Sequence, residues 1–288
     1  MGKEANAPGF DAVIRKQALV NVRTEGNAGR YAEHRRHLMG ALAALGPRAG
    51  GRLCLIGAGN CNDVDLPVLA ARFAEIHLVD LDRSAVARAI NRQPGEIRSR
   101  LFAHAPVDAG GLLRAAESWR ARLPTLAAIE AVIPAAVASI ADDLPGPFDV
   151  AGSCCVLTQI GHGLTSILGA EHGTLADAHG AAATVHFRAM AALLAPGGQA
   201  LFVTDLVSSD TYPLEELAAG RDLKAVVADL VRDANLFRGV NPIGLARILR
   251  RDSVLSRQAA DVRAIEPWLW RAVPERTFLV NGFTFRRA

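Results

Sequence analysis

The chain has 288 residues, half of them hydrophobic and 21% charged, which fits one large folded domain or a core with an elaboration and excludes a disordered chain. Its formal charge of +3 comes from cations that are nearly all arginine, with lysine only at Lys3, Lys16 and Lys224. No basic stripe is interleaved with aromatics, so no nucleic-acid partner is expected. No run of about 18 uncharged apolar residues occurs, so no membrane helix is expected; MGKEANAPGF has no apolar signal core, which makes the cytoplasm the expected compartment.

Residues 9–46 are expected to be helical, with Tyr31, His34, Leu38, Ala41, Leu42 and Leu45 at helical spacing. Gly46-Pro47 and Gly50-Gly51 end that segment. Arg52–Ile56 is a short apolar run, expected to be a buried strand, and it enters the turn Gly57-Ala58-Gly59-Asn60-Cys61-Asn62-Asp63. A helix is expected at Leu66–Phe73, a strand at Glu75–Asp80, a helix at Arg83–Arg92 and a third strand near Arg100–Ala103. Two helices should follow, Leu112–Arg122 and Leu126–Ile140, the second carrying Pro134. Phe148–Val156 reads as the fourth strand. A long helix over Leu175–Leu194 should end at Pro196-Gly197-Gly198, before a fifth strand at Gln199–Asp205.

Residues 206–262 read as a mostly helical insertion. Trp268–Ala272 and Thr277–Arg286 read as a terminal antiparallel hairpin about a Pro274-Glu275 turn. The alternation of short buried strands with helices implies an α/β fold, doubly wound around a mostly parallel seven-stranded sheet. The expected organisation is an N-terminal helical lid at 1–48 and a Rossmann-like domain at 49–288, with 206–262 as a helical insertion covering the substrate.

In an open parallel sheet, ligands bind outside the carboxyl ends of the strands. Gly57 and Gly59 stand at such an end, and Asp80 closes the next strand, where a carboxylate can accept hydrogen bonds from ribose hydroxyls. A dinucleotide and S-adenosylmethionine both fit that arrangement. A dinucleotide also wants a small third residue so that a helix N-terminus can meet the pyrophosphate. Asn62 and Asp63 stand there instead, and a carboxylate favours a sulfonium or amino group over a pyrophosphate.

With LCLIGAGNCND (Leu53–Asp63), IHLVDLD (Ile76–Asp82), FDVAGSCCVLTQI (Phe148–Ile160) and LLAPGGQALFVTD (Leu193–Asp205), the sequence resembles the class I S-adenosylmethionine-dependent methyltransferases. The resemblance covers roughly residues 50–110 and 147–206. It implies that the backbone of Gly57, Ala58 and Gly59 meets the methionine part of the cofactor, that Asp80 holds the ribose, and that Leu81 covers an adenine face. It further implies that Asp108 meets the adenine amino group and that Ser153 and Cys154 line the site under the sulfonium. Leu55 replaces the family's usual acidic residue and Cys61 its third glycine. Asp63 is expected to supply a displaced carboxylate, or Asn60 and Asn62 polar contacts.

Methyl transfer from a sulfonium is a direct displacement, so a general base is needed only where the acceptor must lose a proton. His162, between Gly161 and Gly163, is the expected base on a mobile loop; Tyr31 is the second catalytic candidate and belongs with His34 to the lid. Asp205, Tyr212 and Asn241 are weaker candidates. His172, His179 and His186 recur at intervals of seven, too far apart for one metal ion, and no metal is expected. Cys54, Cys61, Cys154 and Cys155 form no CxxC and read as buried thiols, with the last two on opposite strand faces. The fourth strand ends in Ser153-Cys-Cys-Val156, not the N/D-P-P-Y/F of nucleobase and glutamine methyltransferases. The expected reaction is therefore methylation of oxygen or nitrogen on a small molecule; the rivals are an NAD(P)-dependent oxidoreductase and a non-catalytic nucleotide-binding protein.

Overall fold

The computed structural model describes residues 9–47, 49–273 and 275–288. The expected turn residue Pro274, and residues 1–8 and 48 of the N-terminal segment, lie outside them.

Five strands carry the parallel part of the sheet: β1 (Arg52–Ile56), β2 (Glu75–Val79), β3 (Leu101–His104), β4 (Phe148–Cys154) and β5 (Leu194–Ser208). Three more, β6 (Ala259–Ala264), β7 (Trp268–Val273) and β8 (Arg276–Arg287), complete it. The order is β3-β2-β1-β4-β5-β8-β6, with β7 also paired to β8. β8 runs antiparallel to β5, and it pairs with β6 through its C-terminal half and with β7 through its N-terminal half. β6 and β7 therefore share one edge position. They are separated at Ile265–Pro267, where Pro267 has no N–H to give a ladder. The seven expected strand positions are filled by eight strands for this reason.

Alternation along each strand feeds two layers. In β1, Cys54 and Ile56 enter one apolar cluster and Leu53 and Leu55 the other. The first cluster holds helices α1 (Phe10–Thr24), α6 (Leu113–Trp119), α7 (Leu126–Asp142), α8 (Leu157–Leu168), α9 (Leu175–Leu193), α12 (Pro242–Arg251) and α13 (Leu255–Gln258). The second holds α2 (Ala32–Ala43), α3 (Leu66–Arg72) and α4 (Arg83–Asn91), with the short α5 (Gly95–Arg98) beside them. Helix starts follow capping chemistry: the carboxylates of Asp65 and Asp82 accept backbone N–H groups at α3 and α4, and the Thr125 hydroxyl does so at α7. α7 runs through Pro134 without ending.

Two expected boundaries move. β5 continues through Ser208 and β6 begins at Ala259, so the segment between them is 209–258, containing α10 (Leu214–Leu217), α11 (Leu223–Arg232), α12 and α13. And α2, within the expected lid, packs into the core: Leu38 and Leu42 are fully buried in the second cluster. α1 alone of the N-terminal helices lies across the ends of the strands. Among the described residues, no helix is long and apolar enough to cross a membrane.

Candidate active site

The glycine turn is hung from the end of β2. The amides of Gly57 and Ala58 both donate to the Val79 carbonyl, at 2.8 and 3.1 Å. Gly57 has φ +81°, and a Cβ there would fall 2.8 Å from Val156 Cβ and 3.0 Å from the Cys154 carbonyl, so only glycine lets β1 and β4 close at this point. Cys61, standing where the family has its third glycine, has φ +53°. It keeps the left-handed backbone with a side chain attached, a conformation that is costly outside glycine.

Asp80 is 7% exposed and accepts two backbone amides: Gly59 N at Oδ2 and Asp82 N at Oδ1, both at 2.8 Å. Burial, with the Asp82 charge adding to it, pushes its carboxyl up to about 6 despite those bonds. Asp63 lies further along the loop. Burial above all, and then Asp80, push it up to about 7, against the pull of its own amide and of Arg35.

Two adjoining recesses open here. One of about 460 Å³ is mainly apolar, walled by Val13, Leu81, Val107, Leu113, Val156 and Ile160, with Asp80 and Asp108 at its polar edge. The other, of about 450 Å³, holds Gly57–Asn60, Asp63, Asp80, Cys154, Cys155, Tyr31 and Trp270. Gln17 of α1 and Gln159 of α8 line both. Three carboxylates face this cleft, and among the described residues no arginine, lysine or histidine lines it.

Of the residues expected from sequence, Gly57, Ala58, Gly59, Asn60, Asp63, Asp80, Leu81, Asp108, Cys154 and Tyr31 meet at these recesses. Asp108 also caps the start of α6, accepting Gly110 N (3.0 Å) and Leu113 N (2.8 Å). Burial raises its carboxyl as well. Asn60 borders the cleft, but its amide is engaged elsewhere: Nδ2 donates to Asn21 O at 2.6 Å and Oδ1 accepts Arg88 Nη2 at 3.3 Å.

Three expectations are corrected. Ser153 is fully buried and points away from the cleft, 2.8 Å from His186 Nε2; His186 Nδ1 lies 3.0 Å from the Ala109 carbonyl. The carbonyl can only accept, so His186 donates there and Ser153 donates to Nε2. His162 sits inside helix α8, exposed, beside Phe237 and outside both recesses. Its flanking glycines serve close packing: a Cβ at Gly163 would fall 2.9 Å from Leu113, and one at Gly161 3.1 Å from His179. Cys154 and Cys155 face the same recess, because β4 ends at Cys154 and Cys155 turns the chain with φ +48°.

Tyr31 makes an edge contact with Trp270 (5.1 Å between centroids), and His34 stacks on the same indole at 4.3 Å. Trp268 Nε1 donates to His34 Nδ1 at 3.0 Å, and burial pushes His34 down to about 3, so the imidazole is neutral. Burial, then Asp63 and Cys155, raise the Tyr31 hydroxyl, which stays protonated and is a donor rather than a base at neutral pH. Asp205 is buried and bonded to the Thr158 hydroxyl, its carboxyl pushed up to about 6 by burial. Asn241 caps α12, Tyr212 packs beside α10, and no residue of 209–258 lines either recess. Sequence reasoning missed Gln17, Gln159 and Trp270. Val13, Gln17 and Asn21 are spaced at i, i+4 and i+8, a stripe that marks one face of α1; nothing local marks Trp270.

No family model matches the sequence, and no curated protein does. Among solved structures, the chain is similar to YcgJ of Bacillus subtilis, with 14% identity over 88% of this chain and 97% of that one and a TM-score of 0.45. It is similar to an S-adenosylmethionine-dependent methyltransferase of Methanosarcina mazei, with 12% identity over 85% and 96% and a TM-score of 0.45. It is also similar to the N-methyltransferase NodS of Bradyrhizobium japonicum, with 14% identity over 90% and 94% and a TM-score of 0.38. The strand order of the chain itself decides the architecture. A reversed strand, β8, lies between β5 and the edge, where a dinucleotide-binding sheet stays parallel. The fold is a Rossmann-like, mostly parallel doubly wound sheet with an antiparallel strand inserted beside β5. Its crevice, at the carboxyl ends of β1, β2 and β4, is the cleft described above.

Proposed function

We propose that the chain binds S-adenosylmethionine and transfers its methyl group to an oxygen or nitrogen of a small-molecule acceptor. The observation that carries this reading is the charge of the cleft: Asp63, Asp80 and Asp108 line it, no cationic side chain does, and the carboxyls of all three are raised. A ligand that brings positive charge relieves that arrangement, and one that brings a pyrophosphate aggravates it.

The cofactor would supply a methyl group already activated by its sulfonium sulfur. The chain's own residues bind and orient. Leu81, Val107 and Ile160 offer apolar faces for an adenine, with Asp108 at the edge to accept from its amino group. Asp80 keeps lone pairs free beyond its two amide bonds and accepts from ribose hydroxyls. The Gly57–Gly59 backbone and Asp63 face the positively charged end. Tyr31, Gln159, Cys154 and Trp270 bound the space left for an acceptor, and α1 lies over both recesses as a roof. Positioning of this kind accounts for most of what methyl transfer asks of a protein.

The nicotinamide alternative is disfavoured by Asp63, which lines the recess beside the glycine turn where a pyrophosphate would have to lie; Asp80 suits the ribose of either cofactor. Titration calorimetry at pH 8 with S-adenosylmethionine, S-adenosylhomocysteine and NADH tests the reading. The first two should bind and NADH should not; binding of NADH alone overturns it. Binding of the demethylated product without turnover on any amine, phenol or carboxylate acceptor favours a non-catalytic sensor.

A further inference from the structure

The two asparagines of the glycine turn flank Cys61, and both turn their amides onto the last turn of α1. Asn60 Nδ2 donates to Asn21 O at 2.6 Å, and Asn62 Nδ2 donates to Thr24 O at 2.8 Å. Those carbonyls lie in the last turn of α1, among those a helix leaves without an intrahelical amide; locally the Thr24 hydroxyl reaches Asn21 O at 3.3 Å and the Asn27 amide reaches Thr24 O at 3.0 Å. Asn21 reaches back across the same joint, its Nδ2 donating to Asp82 Oδ2 at 3.0 Å. Arg92 adds bonds to Glu25 O (3.4 Å) and Asn60 O (3.3 Å).

The segment held this way is part of the cleft. Val13 and Gln17 wall the apolar recess, and Asn21 stands 3.4 Å from where a Cβ on Gly59 would be. The loop that meets the methionine end and the helix that roofs the adenine end are therefore one bonded unit. These bonds tie the helix that walls both recesses to the loop at their floor.

We infer that Asn60 and Asn62 are positioning residues that latch α1 over the bound cofactor, and that opening of this latch limits release of the demethylated product. This rests on the cofactor reading above. Asn62→Asp keeps the shape of the side chain but sets an acceptor against the Thr24 carbonyl; Asn62→Gln keeps the donor on an arm one methylene longer.

Two measurements separate the parts. Hydrogen exchange on the chain without ligand should show the amides of Val13–Thr24 losing protection in Asn62→Asp, with β1 and α3 unchanged. Stopped-flow tryptophan fluorescence should show release of S-adenosylhomocysteine about tenfold faster in Asn62→Asp, from loss of the bond and of its donor, and restored at least in part by Asn62→Gln. If exchange in α1 is unchanged, the latch does not exist. If exchange rises and release stays at the wild-type rate, the latch holds the helix but does not gate, and the inference fails. If wild-type protein shows the exchange pattern yet binds no S-adenosylhomocysteine, the cofactor reading falls and the gating inference with it, while the bonded joint stands.

Discussion

Replacing Asp63 by asparagine should move stability and binding in opposite directions. The carboxyl is raised from 3.8 to about 7 in the folded chain, chiefly by burial. The native state therefore keeps a proton that the unfolded chain has already lost, so stability falls as pH rises from about 4 to about 7 and is flat above that. At 1.36 kcal/mol per unit, a three-unit shift sets a ceiling of about 4 kcal/mol at pH 8. The side chain is only partly enclosed and an asparagine must find partners of its own, so a gain of about 1–2 kcal/mol is expected, or about 2–6 °C in Tm. At pH 5 about a third of that gain should remain, because wild type is then protonated when folded. Thermal unfolding of both proteins at pH 5 and pH 8 reads this directly. Calorimetry at pH 8 should show S-adenosylmethionine bound roughly 10–100-fold more weakly to the variant, from loss of a charged hydrogen bond. A variant that is less stable at pH 8, or that binds as wild type does, refutes the argument that this carboxylate is held at a cost for a positive ligand.

Asp80→Ala should weaken cofactor binding by about 1–3 kcal/mol through lost buried hydrogen bonds, measured by calorimetry; unchanged affinity would remove Asp80 from the ribose site. Ser153→Ala leaves His186 Nε2 without its donor and should cost about 1–3 kcal/mol in denaturant unfolding, with cofactor affinity unchanged, since the hydroxyl faces α9. His162→Ala should leave turnover within about twofold of wild type once an acceptor is found, because surface changes away from a site are near neutral; a large fall in kcat would restore it as a catalytic group. Cys61→Gly should be within about 1 kcal/mol of wild type, as relief of the φ +53° backbone offsets the lost thiol packing, whereas Cys61→Val should lose about 2 kcal/mol or more. Equal stability for the two Cys61 variants would show that the backbone there carries no strain.

Local signals made much of this fold legible. Runs such as Leu53–Ile56 and Ile76–Val79 are apolar without a break because both sheet faces are covered, and that pattern marks a central parallel strand from sequence alone. The glycine turn and Asp80 were legible for the same reason: each stands at the end of such a run, where the fold places its crevice. β6 was missed because an edge strand has little to bury. Ala259–Ala264 holds no fully buried residue, and its composition resembles that of the helices before it. Ser153 was misplaced because facing at a strand end depends on what precedes it. The register of β4 slips between Phe148 and Val150, and the chain turns at Cys155, so proximity to the crevice in sequence does not decide which side chain enters it.

The glycines beside His162 show how one residue type serves two physical ends. A glycine before a loop gives freedom; a glycine within a helix that touches another element gives proximity, and only the neighbour's position tells them apart. Around His162 the neighbours are His179 and Leu113, so the reading is proximity. Asn60 and Asn62 pose the same problem at longer range. Standing in a cofactor turn, they read as ligand contacts, yet their partners lie 38 and 39 residues away, on a helix whose path over the cleft is set by tertiary packing. The departures of this turn from the methyltransferase pattern it resembles become intelligible together. With asparagines at 60 and 62, the loop proposed to receive the cofactor is also bonded to α1, and Cys61 between them has a left-handed backbone.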